Sequence, residues 1–459
     1  MANTMKLGIN GNPIAYWSQQ IAYKDVRKNS QFYHTSDSTL YDTGGDFIPG
    51  DYKTDASGSP TDYIYSAIGQ NMPTGTFARA VMCRSLRGSP PYPSGTYHAF
   101  YDGSGTITLG NDAAEQGVVG PGDVSFTINT PTTAGILLDI SSAPLSENAE
   151  YIRNVRIVHE DDVASYETQP FNQKMIDSLK ELTDSDGGYF RSMNWSLING
   201  DGGYVHYQSW NQDSATPTQL AWRVSTSSWD DRVKPYIPAG GGLGASLEHA
   251  VQICNTIDRN LWYCVPHRAT PDFITNAATY IKANLNSSLS TVVEWGNEFW
   301  NSGFYVNYYC FSGAADPTVS AQYYAGLTVT IGGVPVPAWP IGGTGNDMRA
   351  LWRYAADRTT EAHDIFSSVF DAGTQREGLI RTIGVHSANQ WHTERLLEWS
   401  GVNSNGPPSG SIDAISIAPY FGAGIGNVPI APTIVSADTN ASPIATLASG
   451  PWFYSSSVG

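Results

Sequence analysis

The segment Val293-Glu-Trp-Gly-Asn-Glu-Phe-Trp-Asn301 gathers the residue types that could do chemistry. A short β-run ends there in Asn297-Glu298. That would place both side chains at the C-terminal mouth of a barrel strand, where barrel enzymes keep their catalytic groups. A carboxyl ringed by Trp295, Phe299 and Trp300 is poorly solvated, and poor solvation raises a carboxyl pKa. Glycoside cleavage needs such a protonated acid beside the leaving oxygen. The neighbouring Asn297 amide would hydrogen-bond a sugar hydroxyl near the reacting carbon. The plainer role for Glu298 is a carboxylate satisfying backbone N–H groups at the start of the next segment.

These side chains need elements to hold them. Lys6–Ile9 reads as an apolar strand, followed by a polar loop and a short helical segment. From about Tyr33 to Glu160 short alternating runs follow one another: Tyr97–Tyr101, Thr106–Leu109, Val124–Ile128, Gly135–Ile140 and Val155–His159. Gly, Asn, Asp and Pro clusters separate them, the pattern of a β-sandwich. After Tyr166 the texture changes to short apolar runs suited to buried parallel strands, at 190–193, 261–265, 292–295, 380–385 and 414–418. Amphipathic helices lie between them. Ile274, Ala278, Ile281 and Leu285 mark one, entered through Thr270 as N-cap with Pro271 at the first position. Leu351, Tyr354, Ala355, Arg358, Ala362, Ile365, Phe366 and Val369 mark a longer one. Strand–helix alternation implies a parallel α/β architecture. The block 302–350 interrupts it and carries a β-hairpin over Thr328–Pro337, turning at Gly332-Gly333.

The expected fold is therefore an α/β, TIM-barrel-like domain with an inserted all-β sandwich. Residues 1–34 supply the first barrel strand and 35–165 the sandwich. Residues 166–423 make the remainder of the barrel, with a loop insertion at 302–350, and 424–459 form an extended tail.

Composition removes several classes of partner. The chain has 459 residues, 15% charged, with a net charge of −17 and no basic run. A nucleic-acid binder needs a basic face, and an anionic membrane surface would repel this one. No stretch approaches eighteen consecutive apolar residues, so no membrane insertion is expected. The four cysteines form neither a C-x-x-C pair nor a disulfide framework. Gly240-Gly-Gly-Leu-Gly244 lacks the leading strand and the Gly-Lys-Ser/Thr of a phosphate loop. Asp184-Ser-Asp-Gly187 lacks the further ligands of a calcium loop. No cofactor and no metal are expected.

Asn297-Glu298 at a strand end resembles the acid/base motif of the clan of retaining TIM-barrel glycoside hydrolases, which includes cellulases and mannanases. The resemblance extends to bacterial secreted proteins, often labelled cellulose-binding, whose barrel is interrupted by a β-sandwich after its first strand. Leu7-Gly-Ile-Asn-Gly-Asn and Tyr16-Trp17 look like their first strand and loop. Arg191-Ser-Met-Asn-Trp195 resembles the second strand end, whose Arg supports the catalytic carboxylates. Trp262-Tyr-Cys-Val-Pro-His267 is similar to the third, with His267 facing the cleft, and Ile417-Ala-Pro-Tyr420 to the sixth, whose aromatic contacts the nucleophile. The resemblance implies Glu298 as acid/base, with Asn297, Arg191, His267 and Tyr420 around it. Flat indole faces stack on pyranose rings, which makes Trp17, Trp195, Trp295 and Trp300 the candidate substrate contacts.

One departure weighs against turnover. The clan takes its nucleophile, a Glu, from the seventh strand, yet downstream of Tyr420 the only acid is Asp438. A retaining mechanism needs two carboxyl groups roughly 5–5.5 Å apart. The residues after Tyr420 are also too few for two more strand–helix units of about 30 residues each. About six barrel strands are therefore expected in this chain. The functional expectation is a polysaccharide-recognising protein that hydrolyses β-linked glycans if a nucleophile is supplied. The alternative is a non-catalytic adhesion or structural component of a phage tail, virion or surface appendage. Expected partners are a polysaccharide or cell-surface glycan, with a homo-oligomer or larger assembly left open. The N-terminus carries no apolar signal segment, and the Ser/Thr/Asn/Gly/Tyr-rich composition suits an extracellular or virion-associated setting.

Overall fold

The computed structural model describes residues 6–18, 21–30, 34–36, 77–85, 88, 90–102, 107–114, 116, 118–120, 122–141, 153–196, 198, 228–230, 232–235, 239–240, 244–316, 318, 320–325, 327–331, 334–337, 348–371, 378–386, 389–399, 411–417 and 444–447. Seven parallel strands form the main sheet: β1 (Lys6–Asn10), β2 (Tyr189–Arg191), β3 (Asn260–Val265), β4 (Thr291–Trp295), β5 (Leu379–Val385), β6 (Ala414–Ile417) and β7 (Ile444–Leu447). Their order across the sheet is β6-β5-β4-β3-β2-β1-β7. The run from β1 to β6 curls into half a barrel, each strand pairing in parallel with the next.

The tail does more than extend. Its β7 joins the free side of β1, with Lys6 opposite Ile444 and Ile9 opposite Leu447, so the sheet has one strand more than the sequence motifs place.

The central strands have the composition that two-sided burial demands. Every residue of β3 and β4 is buried, and parallel strands covered on both faces read as near-continuous apolar runs. Side chains alternate between the faces. Leu261, Tyr263, Val265, Val293 and Trp295 pack outward into the large core beneath the helices. Trp262, Cys264 and Val292 pack inward with Tyr189 and Ile198 in a smaller cluster on the concave face.

Helices connect the strands. Helix α1 (Gln173–Leu182) precedes β2, α2 (Leu247–Ile257) precedes β3 and α3 (Pro271–Asn284) precedes β4. Helices α4 (Tyr305–Ala315), α5 (Ser320–Tyr323) and α6 (Met348–Asp371) lie between β4 and β5, and α7 (Gln390–Glu398) between β5 and β6. The Thr270 side chain accepts from Phe273 N and Pro271 opens α3, as its sequence predicts. The buried stripe of α3 is Phe273, Ile274, Ala277, Ala278 and Ile281. Each large apolar side chain in it contributes roughly 1.5–3 kcal/mol by leaving water. Because crossover helices run back against the strands, the N-termini of α6 and α7 share the face where the strands end. The sequence-expected hairpin is present as Thr328–Ile331 paired antiparallel with Val334–Pro337.

Among the described residues between β1 and α1 the chain forms two antiparallel sheets. One has five strands, ordered His34–Ser36, Phe77–Met82, Ile136–Ser141, Ile107–Asn111 and Val118–Val119. The other has three, with Gly95–Asp102 between Gly122–Ile128 and Arg153–His159. Met82, Leu109 and Leu138 from the first share one buried cluster with Tyr97, Phe126 and Ile157 from the second. Asp25 ties this region to the loop after β1, since its Oδ1 accepts from Ile157 N (2.9 Å) and Arg27 N (3.0 Å). Gly240, ahead of α2, has a packing reason: a Cβ there would run into the Asn29 carbonyl.

No helix among the described residues is long and apolar enough to cross a membrane. Among the same residues no group of three or more His, Cys, Asp or Glu could hold a metal ion.

Candidate functional site

The concave face ends in a polar floor assembled from four strands. Asn10 closes β1, Arg191 closes β2, and the two are opposite each other in the ladder. Glu294 occupies the inward face of β4, and Asn297 follows one turn beyond that strand. Arg191 Nη2 donates to Glu294 Oε2 at 2.7 Å and to Asn297 Oδ1 at 3.1 Å, while its Nε reaches the same Glu294 oxygen at 3.2 Å. The second of these bonds fixes the Asn297 amide with its oxygen toward Arg191 and its NH2 away. Arg191 also lies over the Trp262 ring at 5.1 Å. The guanidinium on β2 thus couples two β4-side residues that the sequence separates by three positions.

Glu294 is the residue that sequence reasoning left unassigned. It is 1% exposed. Its Oε2 also accepts from Trp262 Nε1 (2.8 Å) and Cys264 Sγ (3.7 Å), and its Oε1 from Ser416 Oγ (3.1 Å). Burial pushes the Cys264 thiol up, so it stays protonated and can donate. A buried charge survives only when paired and hydrogen-bonded. The signal was present in the sequence as a lone carboxylate inside the apolar run Thr291-Val-Val-Glu-Trp295, but its partners lie on three other strands.

Glu298 stands at the mouth, partly exposed. Its Oε2 accepts from Asn301 Nδ2 at 3.0 Å. Its backbone is left-handed, at φ 45°, just after Gly296 at φ 65°. Gly adopts that region freely, whereas an L side chain there costs on the order of 1–3 kcal/mol. Residues held in such strained backbone cluster at functional sites.

The other candidates separate into mouth and core. Trp17, on the loop after β1, is 49% exposed, and Trp300 is partly exposed at the mouth. Trp195 and Trp295 are buried, so their faces are spent on protein packing and cannot meet a ligand. Trp195 lies edge-on to Phe190 and donates to the Asn12 carbonyl, and Trp295 points to the helix side of β4. His267 is buried at the end of β3, 1% exposed. Its ring meets Tyr309 at 5.2 Å, and burial, with Arg268 adding to it, brings the imidazole down to about 3. Tyr420 lies outside the described residues.

Beside the mouth, between the ends of β4 and β5, is a pocket of about 330 Å³. Trp300, Asn301 and Ser302 line it from the loop after β4, Met348 and Trp352 from the start of α6, and His386, Asn389 and His392 from the β5–α7 junction. Asn389 caps α7, its Oδ1 accepting from His392 N, and so fixes where the His392 ring starts.

Comparison of the chain with protein-family models, with curated proteins and with solved structures finds no match.

Proposed function

We propose that this chain recognises a polysaccharide at the C-terminal mouth of a TIM-barrel-like domain into which a β-sandwich is inserted. Asn297 and Glu298 would stand at the reacting glycosidic bond. The observation that carries this reading is Arg191's grip on the Asn297 amide, which orders the residue directly before the strained Glu298. An ordered amide next to a carboxyl suits a neutral sugar, with one group for a ring hydroxyl and the other for the bridging oxygen. The exposed indole of Trp17 and the partly exposed one of Trp300 suit the apolar faces of neighbouring rings. The net charge of −17 favours a neutral glycan over an anionic one.

Retaining hydrolysis would need a second carboxylate facing Glu298. One observation favours recognition without turnover, as in an adhesion or structural protein of a virion or surface appendage. The carboxylate that Arg191 holds is Glu294, which is sealed below the mouth by Trp262, Cys264 and Ser416. A nucleophile must be open to the sugar, and this one is not.

Incubating the chain with a panel of β-linked polysaccharides, with Glu298→Gln in parallel, tests the reading. Reducing sugar released by the wild type and lost in the variant makes it a hydrolase. Retention on a glycan without release makes it a recognition protein. A chain that neither retains nor releases any glycan sinks both.

A further inference from the structure

Among the described residues, the pocket between the ends of β4 and β5 contains two buried polar side chains without a hydrogen-bond partner at the atoms named below. His392 is 1% exposed, and neither of its ring nitrogens has a hydrogen-bond partner. Trp352 is 5% exposed, and its indole Nε1 is equally unpartnered. The two rings lie together with centroids 4.4 Å apart, and both line the same cavity. Leaving such groups unpaired costs about 1–3 kcal/mol each, so a pocket that keeps them is built around an occupant. The occupant can be specified from its walls. Trp352 offers a donor. Burial, with His386 adding to it, brings the His392 imidazole down to about 4, so at neutral pH it offers one donor and one acceptor. Asn301 and Asn389 add amides, Trp300 and Trp352 add flat apolar surface, and among the described residues no Lys, Arg, Asp or Glu lines the cavity. Its ~330 Å³ lies at the low end of ligand pockets, which run from about 300 Å³. There is room for one ring and not for a chain.

We propose that this pocket is a subsite for a single neutral hydroxylated sugar ring, held through its hydroxyls by His392 and Trp352. It rests on the glycan reading of the mouth and places one unit of that glycan, a chain end or a branch, beside Asn297-Glu298. The pocket distinguishes a neutral sugar from a uronic acid or a phosphorylated one, because its described lining holds no Lys or Arg to pair with an anion.

Calorimetric titration of the full chain with glucose, mannose, galactose, xylose and glucuronic acid tests this. At least one neutral sugar is expected to bind saturably, and glucuronic acid is not. Trp352→Phe keeps the aromatic wall and removes the N–H, and should weaken binding about tenfold, one buried hydrogen bond. Ser302→Trp fills the pocket from an exposed lining position and should abolish binding, with the circular dichroism spectrum unchanged. Absence of any sugar binding by the wild type, the result for a pocket holding only water, overturns the inference, as does unchanged affinity in Ser302→Trp. The two readings fail separately. Polysaccharide retention that survives Ser302→Trp but falls in Glu298→Gln removes the subsite and keeps the mouth. Monosaccharide binding that Ser302→Trp abolishes, with no polysaccharide retained, keeps the subsite and removes the mouth.

Discussion

Glu298 and Glu294 are four residues apart and hold opposite positions in the energetics of the chain. Glu298 occupies a left-handed backbone position that a glycine would hold without strain. Glu298→Gly should therefore stabilise the fold by about 1 kcal/mol while removing glycan binding or cleavage. A urea midpoint that falls instead would show that the carboxylate is there for stability. Glu294 is the reverse case. Removing one partner of a buried, hydrogen-bonded ion pair costs about 3–5 kcal/mol because the other charge stays buried. Glu294→Ala should unfold at markedly lower urea than the wild type. Pairing Arg191→Met with Glu294→Leu should recover most of that loss, since the apolar pair leaves no orphaned charge. A double variant no more stable than the single one would count against the pairing.

At the scale of elements, the site depends on where helices begin. The N-termini of α6 and α7 deliver Met348, Trp352, Asn389 and His392 to one pocket wall, so their start points matter more than their length. Helix α3 shows how such a start is set. Thr270→Ala removes the side-chain oxygen that accepts from Phe273 N and should cost about 1 kcal/mol in a urea titration. Glycan binding should stay unchanged, because α3 packs behind the sheet and not at its mouth. A loss of binding at full occupancy of the folded state would contradict that separation.

For the molecule as a whole, buried histidines set the response to acid. Burial, the main cause in each, holds the imidazoles of His267, His363 and His392 down, to about 3, 4 and 4. An unfolded chain protonates its histidines near 6.5. Between about pH 6.5 and 4 the unfolded state therefore binds more protons than the folded one, and stability rises with pH across that window. Lowering the pH from 7 to 5 should lower Tm, with stability fully recovered on return above the unfolded value. Asp25 acts in the other direction, its carboxyl raised chiefly by burial, so a variant isolates the histidine effect. His267→Asn should flatten the pH dependence of Tm, and an unchanged slope would show that His267 already takes a proton in the fold.

The sequence by itself determined the strands and caps whose signals are local. Leu261–Val265 had to be apolar throughout, and Val292–Trp295 apolar but for Glu294, because parallel strands are covered on both faces, and Thr270-Pro271 announced α3 through chemistry confined to one turn. It also determined the position of Asn297-Glu298, since a strand end is a local event. The tertiary structure decided which side chains face which way and what they meet. Alternation on a two-sided strand puts Trp295 in the core and Glu294 on the concave floor, and composition cannot tell those faces apart when both are buried. Arg191 meets Asn297, β7 returns to β1, and Trp352 meets His392 only when the sheet curls. Those contacts join residues tens to hundreds of positions apart, and no pattern within a short window of sequence carries their register.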